Sequence, residues 1–276
     1  MDRTDRQRPV YPILFVLGMS HSGSTLLGRM LNMHSQVLCV GELMRIKGAM
    51  EKRRPCSCGN QIAECGFWDK YLRLIEKENG FNYKRFTPEF YHKLKTNSGN
   101  QVIVDLSKNR VFRMMKHINA SLKWKSDDTG FILILRDPRG LSASMLRRST
   151  KGLANFLARH KKWMQRFQKF TEKQGHRVLI LRYEDLCLYP ESQLKRICQF
   201  LGIDFEDNML FPANKSHHFI HSSTSGYLRN ANQLVIDERW RHELQPEDIR
   251  RINTVTNEVN LLKNAYADSF GLQSRG

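Results

Sequence analysis

The chain has 276 residues, 40% of them hydrophobic and 26% charged. That suits one large α/β domain over residues 1–276 with a sizeable core, and it excludes a disordered chain. Lysine and arginine number 45 against 27 aspartates and glutamates, a formal charge of +18. Such a field attracts anions generally and does not choose among nucleotides, acidic peptides, sulfated glycans, membranes and nucleic acid.

Residues 1–10 form a polar tail with no apolar core and do not read as a signal peptide. Residues 11–17 (YPILFVL) predict a strand. A Gly/Ser-rich turn follows, and then apolar positions at helical spacing predict a helix over 25–33. The apolar segment 37–40 returns the chain to the same edge of a sheet. Residues 43–100 differ in character: they carry a cysteine cluster and helical pieces near 68–78 and 88–95, and read as an insertion on the acceptor side. Further strands are predicted at 101–105, 131–135 and 178–181; the run FILIL is continuously apolar, as in a strand covered on both faces. Helices are expected over 110–122, 138–149, 153–173 and 191–201. This alternation predicts a central parallel β-sheet flanked by helices, a three-layer sandwich of the P-loop NTPase-like kind. Residues 204–229 are polar and rich in His and Ser, and read as a long functional loop. The longest early apolar stretch, 13–18, falls far short of the roughly 20 residues of a membrane span. The expectation is a cytosolic protein, although a chain trimmed of an anchor would read the same. Oligomeric state is not legible.

The turn after the first strand, GMSHSGST, fits G-x-x-x-x-G-x-[ST] between a strand and a helix. Backbone N–H groups at such a turn converge on one spot, and the helix dipole adds positive potential there. Ser20, His21, Ser22, Gly23, Ser24 and Thr25 are the candidate phosphate-binding residues. Ser24 stands where a Walker A loop has the lysine that reaches the β- and γ-phosphates of ATP, which argues against an ordinary NTPase or kinase.

A second anion site is written in LRDPRGLSASMLRRS. Arg136 follows the FILIL strand, Ser144 comes eight residues later, and Ser144 and Arg148 share one helix face at i, i+4. Two arginines and a serine give charge-assisted, partly bidentate bonds to a phosphate.

The Gly18–Thr25 loop resembles the 5′-phosphosulfate loop of sulfotransferases that use 3′-phosphoadenosine 5′-phosphosulfate (PAPS). Four more segments match in order, so the likeness covers about residues 13–229. It implies that Arg136, Ser144 and Arg148 hold the 3′-phosphate of PAPS. It also implies that Tyr183 of LRYEDL contacts the adenine; Glu184 and Asp185 themselves read as caps of the next helix. Arg229, with Gly226 in GYLRN, would belong to a loop folding over the nucleotide. CSCGNQIAECGFW is similar to a cysteine-rich segment of many bacterial-type members. Sulfuryl transfer is an in-line displacement that needs a base, a cation for the leaving phosphate oxygen, and alignment of the partners. Glu42, 21 residues after His21, has the spacing of the catalytic glutamate in tyrosylprotein sulfotransferases, and LNMHSQVLCVGE resembles the pattern leading to it. Lys108, in VDLSKNR, matches the lysine that contacts the bridging oxygen. His21 stands where the family usually has Arg or Lys. It could be a cation with donor bound, a neutral hydrogen-bond donor, or the base itself.

The acceptor, a hydroxyl (or amine) of a glycan, small molecule or peptide tyrosine, is left open. No metal is expected as cofactor: Cys56, Cys58 and Cys65 fall one short of a Cys-only zinc site, and free thiols suit a cytosolic chain. Cys39, Cys187 and Cys198 read as reduced core residues. His217, His218 and His221 read as part of a substrate-facing loop rather than as metal ligands. The alternative function is a P-loop nucleotide kinase-like phosphotransferase, which needs a Mg-holding acid after a strand. Asp137 is the nearest, in a Pro-Arg setting that does not favour it. A nucleic-acid or glycan binder drawn by charge alone would leave the ordered motifs unexplained, so no nucleic-acid partner is expected.

Overall fold

The computed structural model describes residues 11–80, 82, 86–118, 128–148, 152–213, 215–220 and 234–267. Five parallel strands form one sheet: β1 (Ile13–Gly18), β2 (Val37–Cys39), β3 (Val102–Asp105), β4 (Thr129–Leu135) and β5 (Val178–Arg182), in the order β2-β3-β1-β4-β5. β1 is central. Its Ile13 pairs with Ile103 on one side and with Thr129 on the other. Its six residues are all buried, and alternate ones belong to different layers. Ile13, Phe15 and Leu17 join a core with Tyr91, Leu141, Phe167 and Ile252, whereas Leu14 and Val16 join one with Leu27, Met30, Leu194 and Ile197. This is the pattern of a parallel sheet covered on both faces.

Twelve α-helices are described. On the second face lie α1 (Ser24–Leu31), α8 (Tyr183–Leu188) and α9 (Pro190–Leu201). The first face carries α2 (Ile46–Glu51), α3 (Gly66–Asn79), α4 (Pro88–Ser98), α5 (Val111–Ile118), α6 (Pro138–Leu146), α7 (Leu153–Gln174), α10 (Trp240–Glu243), α11 (Pro246–Asn257) and α12 (Asn260–Ala265). Local chemistry sets several starts. Thr87 accepts the Phe90 N–H with Pro88 next in line, and Asp137 accepts the Arg139 N–H ahead of Pro138, both favourable N-terminal arrangements.

Three expectations change. The segment 43–100 is not wholly an insertion, because α4 packs on β1 and β3 as a layer helix of the β2–β3 crossover. Residues 204–220 do not form a loop over a ligand. Met209, Phe219 and Ile220 are fully buried, and Ile220 makes a parallel bridge with Gly41 beyond the end of β2. The remainder of that stretch, with Gly226 and Arg229, lies outside the described residues. Glu184 does not cap a helix; it sits in the first turn of α8 and reaches sideways to accept the Asp137 N–H and the Tyr266 hydroxyl. Among the described residues no helix is long and apolar enough to cross a membrane.

Candidate active site

Each strand delivers one candidate residue to the same edge of the sheet. His21 follows β1, Glu42 follows β2, Lys108 follows β3, Arg136 follows β4 and Tyr183 follows β5. The carboxyl ends of parallel strands, where the order reverses around the first strand, are where open α/β sheets hold ligands.

The β1–α1 turn has the backbone of an anion cradle. His21 at φ 72° and Gly23 at φ 97° are left-handed, and Gly23 brings no side-chain cap to α1. The first-turn N–H groups of α1 therefore point out of the helix end without a competing side-chain acceptor. Ser22 Oγ is buried and has no hydrogen-bond partner, an orphan that an anion's oxygen would satisfy. Gly23 is needed for space as well as for φ: a Cβ there would stand 2.4 Å from Tyr183 Cδ2. The Tyr183 ring thus underpins the turn, with the Arg136 guanidinium 4.8 Å from its centroid. Burial raises the Tyr183 hydroxyl pKa.

Arg136 ties two parts of the site together. It is 7% exposed; its Nη1 donates to the His21 carbonyl at 2.9 Å and its Nη2 to Asp237 Oδ2 at 3.1 Å. Asp237 also pairs with Arg147 and Arg239. Hydrogen bonds from Arg239, and then Arg136, hold its carboxyl well below the usual range. Ser144 is buried on α6, but that helix stops at Leu146, so Arg148 lies past its end, exposed, and does not share a helix face with Ser144. Asp137 is engaged by Arg139 through two guanidinium nitrogens and is not free to hold magnesium.

His21 sits among cations. Burial is the main cause of its lowered pKa, followed by the charges of Arg148, Lys108, Arg136 and Arg147; together they push it to about 4. Without donor the imidazole is neutral at pH 7.

Glu42 and Lys108 meet across the β2–β3 edge. Lys108 Nζ donates to Glu42 Oε1 at 2.5 Å, and Arg45 Nε binds Glu42 Oε2. Glu42 is 7% exposed and Lys108 9%. Gly41 makes the geometry: at φ 71°, a Cβ there would lie 2.7 Å from both the N and O of Ile220, whose carbonyl accepts the Glu42 N–H. Lys108 itself is left-handed at φ 57°. Only three described non-glycine residues are, and two of them are His21 and Lys108, so the strain falls largely at the site. Beneath, Asp105 accepts the Ser107 N–H and the Tyr91 hydroxyl, and Ser107 Oγ accepts the Met44 N–H. Burial is the first cause raising the Asp105 pKa to about 6.

Sequence reasoning missed Asp237, Asp105 with Tyr91, and the place of His218. Asp237 carries no motif and lies 101 residues from Arg136. Two of the three loop histidines are engaged within the protein. His217 is buried between Asn32 Nδ2 and the Pro212 carbonyl, His218 packs against the cysteines, and His221 is outside the described residues.

The sequence profile of a sulfotransferase family matches residues 12–207. Nodulation protein NoeE of Sinorhizobium fredii is 22% identical over 95% of this chain and 68% of its own length. Protein-tyrosine sulfotransferase 2 of Gallus gallus is 25% identical over 83% of this chain and 63% of its own. A third relative, protein-tyrosine sulfotransferase A of Caenorhabditis elegans, is 26% identical over 72% of this chain and 52% of its own. The chain thus spans between half and about two thirds of these relatives. The sulfotransferase domain of the curacin biosynthetic pathway superposes with a TM-score of 0.59 at 19% identity, covering 90% of this chain and 97% of that one. A mouse sulfotransferase complexed with PAP gives 0.53 at 16%, covering 90% and 84%. These two show the fold. The fold is a P-loop-like α/β sandwich, and the chain belongs to the sulfotransferase family.

Proposed function

We propose that the chain transfers a sulfuryl group from PAPS to an acceptor hydroxyl. The observation that carries this reading is the hydrogen bond from Arg136, the proposed centre of a 3′-phosphate site, to the His21 carbonyl in the β1–α1 turn, which sets two candidate anion sites side by side. ATP offers one phosphate chain; PAPS offers a 5′-phosphosulfate and a separate 3′-phosphate. A kinase-like phosphotransferase is disfavoured by Ser24 in the lysine position and by Asp137 being held by Arg139.

The roles follow from charge and position. Amides of the turn, with Ser22, Ser24 and Thr25, hold the 5′-phosphate, and Ser20 lies at its exposed mouth. Arg136, Ser144 and Arg148 hold the 3′-phosphate, and Tyr183 buttresses the turn beside the adenine. Arg229, which the resemblance assigns to the nucleotide, lies outside the described residues. Glu42 takes the proton of the acceptor O–H as the acceptor oxygen bonds to sulfur and the sulfur–oxygen bond to the 5′-phosphate breaks. Lys108 stabilises the charge gathering on that phosphate oxygen. His21 is a neutral hydrogen-bond donor until an anion beside it draws a proton on. An acidic peptide tyrosine has the most support as acceptor: two relatives are named protein-tyrosine sulfotransferases, and the net charge of +18 suits acidic neighbours. A cytosolic location belongs to the same reading, supported by the free thiols of the buried Cys39, Cys187 and Cys198.

The test is a screen of ³⁵S-labelled PAPS against acidic tyrosine peptides, glycans and phenols. Transfer to a peptide, abolished by tyrosine-to-phenylalanine replacement in that peptide, is expected. Transfer to sugars alone would overturn the acceptor but not the reaction. Transfer to none would count against both.

A further inference from the structure

A sequence cluster that the proposed reaction does not use closes up in three dimensions. Cys56, Cys58 and Cys65 are joined by His218, which lies 153 residues beyond Cys65, and the four potential ligand atoms all lie within 4.8 Å of one another. Cys58 Sγ is 3.7 Å from Cys65 Sγ; His218 Nδ1 is 3.2 Å from Cys65 Sγ and 3.9 Å from Cys56 Sγ. Zinc held tetrahedrally, with Zn–S about 2.3 Å and Zn–N about 2.0–2.1 Å, requires ligand atoms roughly 3.5–3.8 Å apart. These three separations lie within a few tenths of an ångström of that range. The three sulfurs and one imidazole are also the set that selects zinc over the hard cations, which prefer oxygen.

The surroundings have the build of a closed structural site. Cys56 and Cys65 are buried. Cys56 and Cys58 flank a tight turn in which the Gly59 N–H donates to the Cys56 carbonyl, and the Cys56 N–H donates to the Asn60 carbonyl. Cys65 is the N-cap of α3 yet makes no side-chain cap bond, so its sulfur is directed elsewhere. The His218 ring is fixed by stacking on Phe67 at 4.9 Å and 10°, and its carbonyl accepts the Trp68 Nε1–H at 2.9 Å. Ser57 ties the same two segments, donating to the His217 carbonyl and accepting the Phe219 N–H.

We infer that Cys56, Cys58, Cys65 and His218 bind one zinc ion, and that this ion clamps the 56–65 turn to the 217–220 segment. Binding replaces three thiol protons, which leave to solvent, by three zinc–sulfur bonds, and adds a bond from the neutral imidazole. The sequence expectation of no metal counted three thiols and stopped; the fourth ligand comes from across the fold. Two residues past His218, the Ile220 carbonyl accepts the Glu42 N–H, so the clamp also holds the backbone that presents Glu42. The ligand set stands independently of the proposed sulfuryl transfer.

The test uses the whole chain purified without chelator. Elemental analysis should find about one zinc per chain. Replacement by Co(II) should give thiolate charge-transfer bands and the visible absorption of a tetrahedral site. Cys58→Ser and His218→Ala should each lose most of the zinc, whereas Cys198→Ser, a buried cysteine on α9, should keep it. Because the cobalt spectrum is read on the wild type, a variant that fails to fold does not blunt the test. Absence of zinc together with a featureless cobalt spectrum would overturn the site, as would a Cys58–Cys65 disulfide in the protein as purified. So would equal zinc loss in Cys198→Ser. PAP binding is measured in parallel: zinc retained without PAP binding would sink the functional reading and leave the metal site intact.

Discussion

Lys108 Nζ and Glu42 Oε1 are 2.5 Å apart and both side chains are nearly buried. The group proposed to accept a proton is therefore held by the group proposed to stabilise the leaving phosphate. Arg45 holds the second oxygen of the same carboxylate. Removing one partner from such a pair leaves the other charge buried and underpaired. Glu42→Gln keeps the shape and removes the base. It should lower kcat about 10²- to 10⁴-fold with PAP affinity nearly unchanged, as read by single-turnover kinetics and calorimetry. Lys108→Ala should lower kcat comparably and also weaken PAP.

His21 gives a pH prediction with a definite sign. Its pKa in the free protein is about 4, through burial and then the neighbouring arginines and Lys108. A bound 5′-phosphate favours the protonated imidazole and raises that pKa. Linkage then makes PAP affinity rise as pH falls through the raised value, until the free-protein value is reached. The ligand's own phosphate protonation is common to wild type and His21→Ala. The ratio of their affinities should therefore climb from pH 8 to pH 5, and a flat ratio would show that His21 stays neutral in the complex.

Asp237 holds the guanidinium of Arg136, the group proposed to bind the 3′-phosphate. On that proposal, donor binding displaces or shares the contact. Asp237→Asn should tighten PAP by about tenfold, or 1.4 kcal/mol, with a reduced salt dependence of the difference at high ionic strength. Weakened PAP would show instead that the carboxylate serves to hold the arginines in place.

Asp105 and Tyr91 form a buried pair under the Lys108 turn. Tyr91→Phe removes one donor from a carboxyl that has no access to water. It should cost about 1–3 kcal/mol of stability, measured by urea denaturation. Asp105, with its folded pKa raised to about 6, adds stability at low pH that is lost as pH rises through that value, so the Tyr91→Phe deficit should widen above pH 6.

The sheet was legible because a parallel sheet buried on both faces demands continuous apolar runs, and FILIL and YPILFVL supply them. Candidate residues were legible where they follow directly on a strand: His21, Arg136 and Tyr183 sit at fixed offsets from runs that can be seen. Glu42 and Lys108 were readable by their place after a strand, but their contact was not, because a spacing of 66 residues carries no geometric signal. The same limit hid Asp237 and His218. Each reaches its partners through packing of the C-terminal third of the chain, whose helices α10 to α12 are short and mostly polar. Residues 204–220 misread as a ligand loop because polarity there hides three deeply buried side chains, Met209, Phe219 and Ile220.

Two separate phosphate sites, one at the β1–α1 turn and one at Arg136, are proposed to bind a single nucleotide. Calorimetric titration of wild type and Arg136→Ala with PAP and with adenosine 5′-phosphate, which lacks the 3′-phosphate, tests this most directly. Wild type should prefer PAP by at least about tenfold, since hydrogen bonds to a charged group contribute about 1.5–3 kcal/mol, and Arg136→Ala should lose that preference while binding the two ligands alike. Equal affinity of wild type for both ligands, or tighter binding of Mg·ATP than of PAP, would contradict the proposal.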